Sequence, residues 1–147
     1  MKLSDNFTLK EFTDSITAVN HGINNVPGAM QIASLRNLVV KVLQPARDAL
    51  GIPLFISSGY RSPALNQMIG GANNSQHTRG EAADVQCDDN AALFNYIRNN
   101  TDFDQLIWEF GSDEQPQWVH VSCRIANNRG EVLKATKENG KTVYNYL

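Results

Sequence analysis

Apolar residues in the first third of the chain recur with a helical period. Ile32, Leu35, Leu38, Val39, Val42 and Leu43 share one face, which predicts a long helix from about Ala29 to Leu50, closed by Gly51. Pro45 lies inside that run, so a kink or a fresh turn is expected there. Upstream, "NFTLKEF" places Glu11 three positions after Thr8, the capping-box pattern of a helix start. "TDSITAVNHGINNVP" reads as loop, with Pro27 and Gly28 as breakers. Beyond Gly51 the pattern changes. "PLFISSGY" is a short β-rich run, and "SPALNQMIGG" reads as a helix capped by Ser62, begun by Pro63 and stopped at Gly70 and Gly71. "AADVQC" predicts a strand, and "NAALFNYIRNN" a helix starting near Asn90. "DQLIWEF" and "QWVHVSCR" predict two strands joined by "GSDEQP". Near the end, "ENGK" sets Asn-Gly between two alternating runs, a strong hairpin signal. Helices come first and most strands later, so the expected class is α+β with an antiparallel sheet.

Composition narrows the function classes. The chain has 147 residues, 41% hydrophobic and 19% charged, enough apolar material for one core. Net charge is −2 and the isoelectric point about 5.9, which argues against a nucleic-acid partner, since phosphate binding wants a basic face. The opening "MKLSDNFTLKEF" has no apolar run of signal-peptide length. No stretch approaches a membrane span. The expected setting is synthesis in the cytoplasm without a signal peptide. The two cysteines, Cys87 and Cys123, do not make a disulfide framework.

Candidate chemistry centres on "SQHTRGEAAD". There are only three histidines, His21, His77 and His120. His77 stands in a polar, glycine-containing stretch seven residues before Asp84, and His120 lies between two valines in "WVHVS". Two histidines and a carboxylate are a common zinc set, with a fourth position open. Taken singly, His120 reads as a core histidine, His77 as a loop residue and Asp84 as a cap or turn residue. An aspartate beginning an apolar strand is costly to bury unless it is paired. Each cysteine lies three positions beyond a candidate ligand, an odd offset that puts it on the opposite strand face. Both read as core.

The lettering "SGYRS...SQHTRGEAAD...WVHVS" resembles the zinc D-alanyl-D-alanine peptidase family, part of the group named for lysostaphin, D-Ala-D-Ala peptidases and Sonic hedgehog. Ser75, His77, Gly80, Ala82 and Asp84 match S-x-H-x-x-G-x-A-x-D at every fixed position. "FTLKEFTDSITA" and "SSGYRSPALNQMIGG" resemble segments of its phage and bacterial carboxypeptidase-like branch, so the resemblance runs from about Phe7 to Arg124. It implies a hedgehog/DD-peptidase-like fold: a central antiparallel sheet, helices packed on one side and the zinc site on the sheet face. One domain is expected, with an N-terminal helix and loop over 1–27, a metallopeptidase core over 28–124 and a hairpin over 125–147.

The resemblance further implies one Zn2+ per chain, held by His77, Asp84 and His120, with Arg61 binding substrate and stabilising the oxyanion. A zinc peptidase also needs a general base. Many relatives carry a carboxylate three residues before the second histidine, where this chain has Gln117. Glu109, Asp113 and Glu114 are the alternatives. If Phe110 and Gln117 flank the connecting loop as a pair, Ile107 faces His120 and Glu109 shares its side of the sheet. Glu109 is therefore favoured. Ser75 is expected to support the His77 loop, and Gln117 to stand near the metal or substrate. Trp118 and Trp108 read as cleft or core. The implied function is hydrolysis of peptidoglycan stem peptides, a D,D-carboxypeptidase or endopeptidase of the endolysin type, with water at the open zinc position attacking the peptide carbonyl. The alternative is a catalytically inactive zinc-stabilised binding module, for which Gln117 speaks. A monomer is expected, acting on the wall after release in phage or prophage lysis, or in the cytoplasm on wall precursors.

Overall fold

A computed structural model describes residues 1–147. The chain opens with a short strand pair, β1 (Lys2–Ser4) and β2 (Phe7–Thr8), which the sequence pattern did not announce. Helix α1 (Leu9–Thr13) follows, and the Glu11 carboxylate accepts the Thr8 backbone N–H at 2.7 Å. The stretch read as loop contains a one-turn helix, α2 (Ile16–Asn20). Ser15 caps it, accepting the Ala18 N–H at 3.2 Å, and burial of Ala18 holds it down.

The long apolar run is one continuous rod in three pieces. Helix α3 (Ala29–Leu38) widens into a π-helical segment (Val39–Leu43) and resumes as α4 (Gln44–Leu50). The cause is Pro45. It has no N–H, and its ring would strike the carbonyl four residues back. In the wider turn the Gln44 N–H reaches Val39, five residues earlier, and the backbone passes the proline without breaking. Gly51 ends the rod in the left-handed conformation, φ 66°.

Next come β3 (Phe55–Ser58), α5 (Pro63–Met68), β4 (Ala82–Gln86), α6 (Asn90–Asn100), β5 (Gln105–Glu109), β6 (Trp118–Ser122), β7 (Glu131–Glu138) and β8 (Lys141–Tyr146). The last six strands form one sheet in the order β3-β4-β6-β5-β7-β8. The class is α+β, as expected, but the sheet is mixed. β7 runs parallel to β5, which corrects the expectation of an antiparallel sheet throughout. After β6 the chain crosses the end of β5 and docks on its far edge. β7 therefore still runs opposite to β6 but with β5, and a short loop suffices where parallel neighbours usually need a helix.

Strand alternation divides the sheet. One face carries Ala83, Val85, Leu106, Trp108, Val119 and Val121 into a cluster of 23 buried residues with Leu35, Val39 and Val42 from the rod and Phe94 and Ile97 from α6. Cys123 joins it and Cys87 packs beside it. The opposite face carries a small apolar group, Ile107, Leu133 and Ala135, with Phe110 packed against it, and also bears Asp84, Glu109 and His120. The helices thus cover one face, and the chemistry has the other.

Phe94 packs edge-on against Trp108 with centroids 5.2 Å apart. Phe94→Ala should cost about 3–5 kcal/mol of unfolding free energy, as expected for an aromatic truncated in a closed core. Denaturant titration reads this directly. A loss below about 1 kcal/mol would mean that α6 does not depend on that contact.

Candidate metal centre and cleft

Two antiparallel pairings assemble the centre. β4 and β6 place Asp84 directly opposite His120, and β5 places Ile107 on the other side of His120. His77 arrives from outside the sheet, on a 3₁₀ turn (Gln76–Arg79) whose cap, Ser75, accepts the His77 N–H at 3.3 Å. Gly80 then turns the chain into β4. Its φ is 72°, and an added Cβ would lie 2.4 Å from the Gln31 carbonyl, so both conformation and space require glycine.

The donor atoms converge. Asp84 Oδ1 is 3.0 Å from His120 Nδ1 and 3.6 Å from His77 Nε2. One ligand atom from each residue can be chosen so that all three lie within 4.8 Å of one another. His77 Nδ1 donates to the Gly59 carbonyl at 2.7 Å. That fixes the tautomer and leaves the Nε2 lone pair facing the other two donors, the usual support of a metal-ligating imidazole. Burial pushes the His77 pKa down, against the pull of Asp84, and so favours the neutral form that can ligate. Burial opposes charge on Asp84 too, but the hydrogen bond from His120 and the adjoining His77 imidazole prevail and hold its carboxyl far below the usual range. Two imidazole nitrogens and an ionised carboxylate fit zinc, and three protein ligands leave a position open.

Arg61 borders this centre. Its Nε donates to Ser58 Oγ at 3.2 Å and its Nη1 to Asn66 Oδ1 at 3.0 Å, while Nη2 stands 3.8 Å from Asp84 Oδ2. Asn66 is itself tied to the Ala72 carbonyl at 2.8 Å. A Cβ on Gly71 would lie 2.0 Å from Asn66 Oδ1, so that glycine does more than stop α5. Burial weakens Arg61's hold on its proton and Asp84 strengthens it; a guanidinium remains charged throughout.

Glu109 is the remaining acid of the cleft. β5 and β6 pair with Ile107 opposite His120 and Glu109 opposite Trp118, so Glu109 lies on the histidine's face. It is 7% exposed. Burial pushes its carboxyl up to about 7, helped by Asp84 and opposed by His120. Asp113 is 87% exposed and paired with Lys134 at the loop tip. Glu114 is exposed on the same tip, and neither lines the cleft.

One expectation needs correction. Gln117 is exposed and does not line the cleft. It stands three positions before His120, and that odd offset turns it away. Trp108 is core, its Nε1 donating to the Ser112 carbonyl at 3.0 Å. Trp118 does line the cleft, edge-on to Phe110 at 5.4 Å. His21 stays outside, bonded to its own helix at the Thr17 carbonyl.

The cleft encloses about 750 Å³. Beyond the expected residues it is lined by Phe110, Tyr144 and Lys137 at one end and Arg124, Arg129 and Gln105 at the other. Sequence reasoning missed these. Tyr144 faces Ala135, the β7 neighbour of Glu109, so extending the hairpin register one strand further would have found it. Nothing in the local lettering marks Phe110, whose φ of 56° is unusual for an aromatic residue.

The sequence model described as peptidase M15 matches residues 5–122. A stretch of 44 residues is 46% identical to a zinc D-Ala-D-Ala carboxypeptidase from Streptomyces albus G, covering 29% of this chain and 17% of that protein.

The wild-type protein should bind one equivalent of zinc by calorimetry, and Asp84→Ala should weaken that affinity by at least about 100-fold. Undiminished binding by Asp84→Ala would remove Asp84 from the ligand set. A second expectation concerns pH. Glu109 holds its proton more tightly folded (about 7) than at its ordinary value of 4.5. Its contribution to stability is therefore full below pH 4.5 and lost as pH rises through about 7. Metal-free Glu109→Gln should gain on the wild type across that window, by up to about 1.4 kcal/mol per pH unit. Parallel stability profiles from urea titrations at several pH values would count against the burial of Glu109.

Proposed function

The chain belongs to the peptidase M15 family, and from that membership and the geometry of the cleft we propose that it is a zinc-dependent peptidase that hydrolyses peptidoglycan stem peptides. The observation that carries the reading is the placement of Glu109. It is a buried carboxylate on the sheet face that bears His120, beside three converging metal donors. The helices on one side of the sheet and the donors on the other support a hedgehog- and D-Ala-D-Ala-peptidase-like fold.

His77, Asp84 and His120 would hold the metal, one ion per chain. When bound, zinc supplies Lewis acidity that polarises a peptide carbonyl and makes a nearby water easier to deprotonate. Glu109 takes the proton from that water. A carboxyl poised near 7 can accept a proton and then release it to the departing amine, which suits one group for both steps. Arg61, fixed from two sides by Ser58 and Asn66, offers its remaining donors to the developing oxyanion or to a substrate carboxylate. Trp118 and Phe110 form an aromatic wall against which a peptide can lie.

The binding-module alternative rested on Gln117 as a neutral stand-in for the base. With that side chain outside the cleft and Glu109 within it, the sequence feature favouring inactivity loses its force. No helix is long and apolar enough to cross a membrane. We place the protein's action at the cell wall after release, in phage or prophage lysis, or on wall precursors in the cytoplasm. We take it to act as a monomer, with no nucleic-acid partner.

Digestion of purified peptidoglycan by zinc-loaded protein, read by mass spectrometry, tests the reading. Released stem-peptide fragments are expected, and they identify the bond. Glu109→Gln should keep its zinc and lose about 10²–10⁴-fold in turnover. An intact wall after incubation with protein carrying one zinc overturns the peptidase reading.

A further inference from the structure

The cleft continues past the metal donors. On β6 the face that bears His120 also bears Ser122, and two residues past the strand comes Arg124. At about 3.3 Å per residue Arg124 lies roughly 13 Å along the chain from His120. Arg129, on the segment that leads into β7, lines the same end.

Beneath both lies Asp104, 0% exposed. Its carboxylate accepts Arg129 Nη2 at 2.7 Å, Arg129 Nε at 3.1 Å, the Arg129 backbone N–H at 3.0 Å and Gln76 Nε2 at 3.0 Å. Arg124 is held differently. Its Nε stands 3.5 Å from Asp104 Oδ1, and its guanidinium makes no hydrogen bond. The neighbouring acids are engaged elsewhere. Glu131 accepts Gln105 Nε2 at 2.6 Å and the Tyr146 hydroxyl at 3.1 Å, and Glu81 accepts Arg79 Nε at 2.8 Å. Arg124 is thus a cation placed by a buried charge, with its forked donors left for something in the cleft. Such a fork matches a carboxylate in two parallel hydrogen bonds. Both arginines lie beyond residue 122, where the family match ends.

Resting on the peptidase reading above, we propose that Arg124, held by the buried Asp104 that it shares with Arg129, is a subsite for a substrate carboxylate carried three to four residues from the bond that is cut. The span sets that distance. An extended peptide advances about 3.3 Å per residue, so roughly 13 Å is about four residues, and the reach of the arginine side chain shortens it. A dipeptide would leave the subsite empty. The substrate class is an acidic oligopeptide.

The probes are two synthetic peptides, L-Ala–γ-D-Glu–L-Lys–D-Ala–D-Ala with the glutamate α-carboxyl free, and the same peptide with that carboxyl amidated. Binding is measured by calorimetry on zinc-loaded Glu109→Gln protein. The free acid should bind about 10-fold more tightly than the amide. Adding Arg124→Gln should abolish that preference, Arg124→Lys should keep part of it, and neither should move the melting temperature. A brace without a substrate role would not distinguish the two peptides. Equal binding of both, binding of neither, or a preference that survives Arg124→Gln overturns the subsite and leaves the peptidase reading to the digestion assay. Acid-selective binding by a protein that leaves purified peptidoglycan intact overturns the peptidase reading and leaves the subsite standing.

Discussion

A carboxylate placed inside a sheet must be paired or it destabilises the fold, and Asp84 is such a carboxylate. It sits on β4 between apolar neighbours, directly across from His120. Its Oδ1 faces both imidazoles, and its Oδ2 faces Arg61. A slip of one residue between β4 and β6 would point Asp84 and His120 to opposite faces and bury an unpartnered charge among the core valines. The need to satisfy one side chain therefore reinforces the register of the two central strands. It also reinforces the position of the 3₁₀ turn that brings His77 and of the α5 segment that brings Arg61.

The same surroundings treat two carboxylates in opposite ways. Asp84 accepts a hydrogen bond from His120, has His77 alongside, and is held ionised. Glu109, on the same face, has no hydrogen-bonding partner, and burial pushes it up to about 7. One acid is suited to standing charge and the other to carrying a proton, and the division follows from which has donors within reach. The pairings of β4 and β5 with β6 place both acids on one side of the sheet, so the division of labour begins as a matter of register.

Much of this was legible in the lettering, for reasons that can be named. Local rules worked where the physics is local: Glu11 capping Thr8, Pro63 opening α5, and Asn139–Gly140 turning the last hairpin. The spacing of His77, Gly80 and Asp84 was legible because a left-handed glycine and two donors must follow in that order along one short segment. Glu109 followed from alternation once a loop pairing was assumed. The misses share a cause. Gln117 was judged by a relative's pattern when strand parity would have excluded it. The parallel β7, the Arg124–Asp104–Arg129 group and Tyr144 depend on which strand docks beside which, and that choice is made by packing across the whole sheet. The π-helical segment shows a third kind of limit. Pro45 announced a disturbance, but whether a helix breaks, kinks or widens depends on the core that holds both halves.

The candidate ligands also carry a consequence for time. His120 lies 36 residues after Asp84, and the two meet only when β6 pairs with β4. Closing so long a loop comes before any reward from the contact. A chain still emerging from the ribosome, with β6 unmade, has not yet gathered its three donors. Zinc, once it binds the finished arrangement in preference to the unfolded chain, draws the equilibrium toward that arrangement by mass action. The three donors and the finished sheet thus arrive together, and no partly made chain holds the centre.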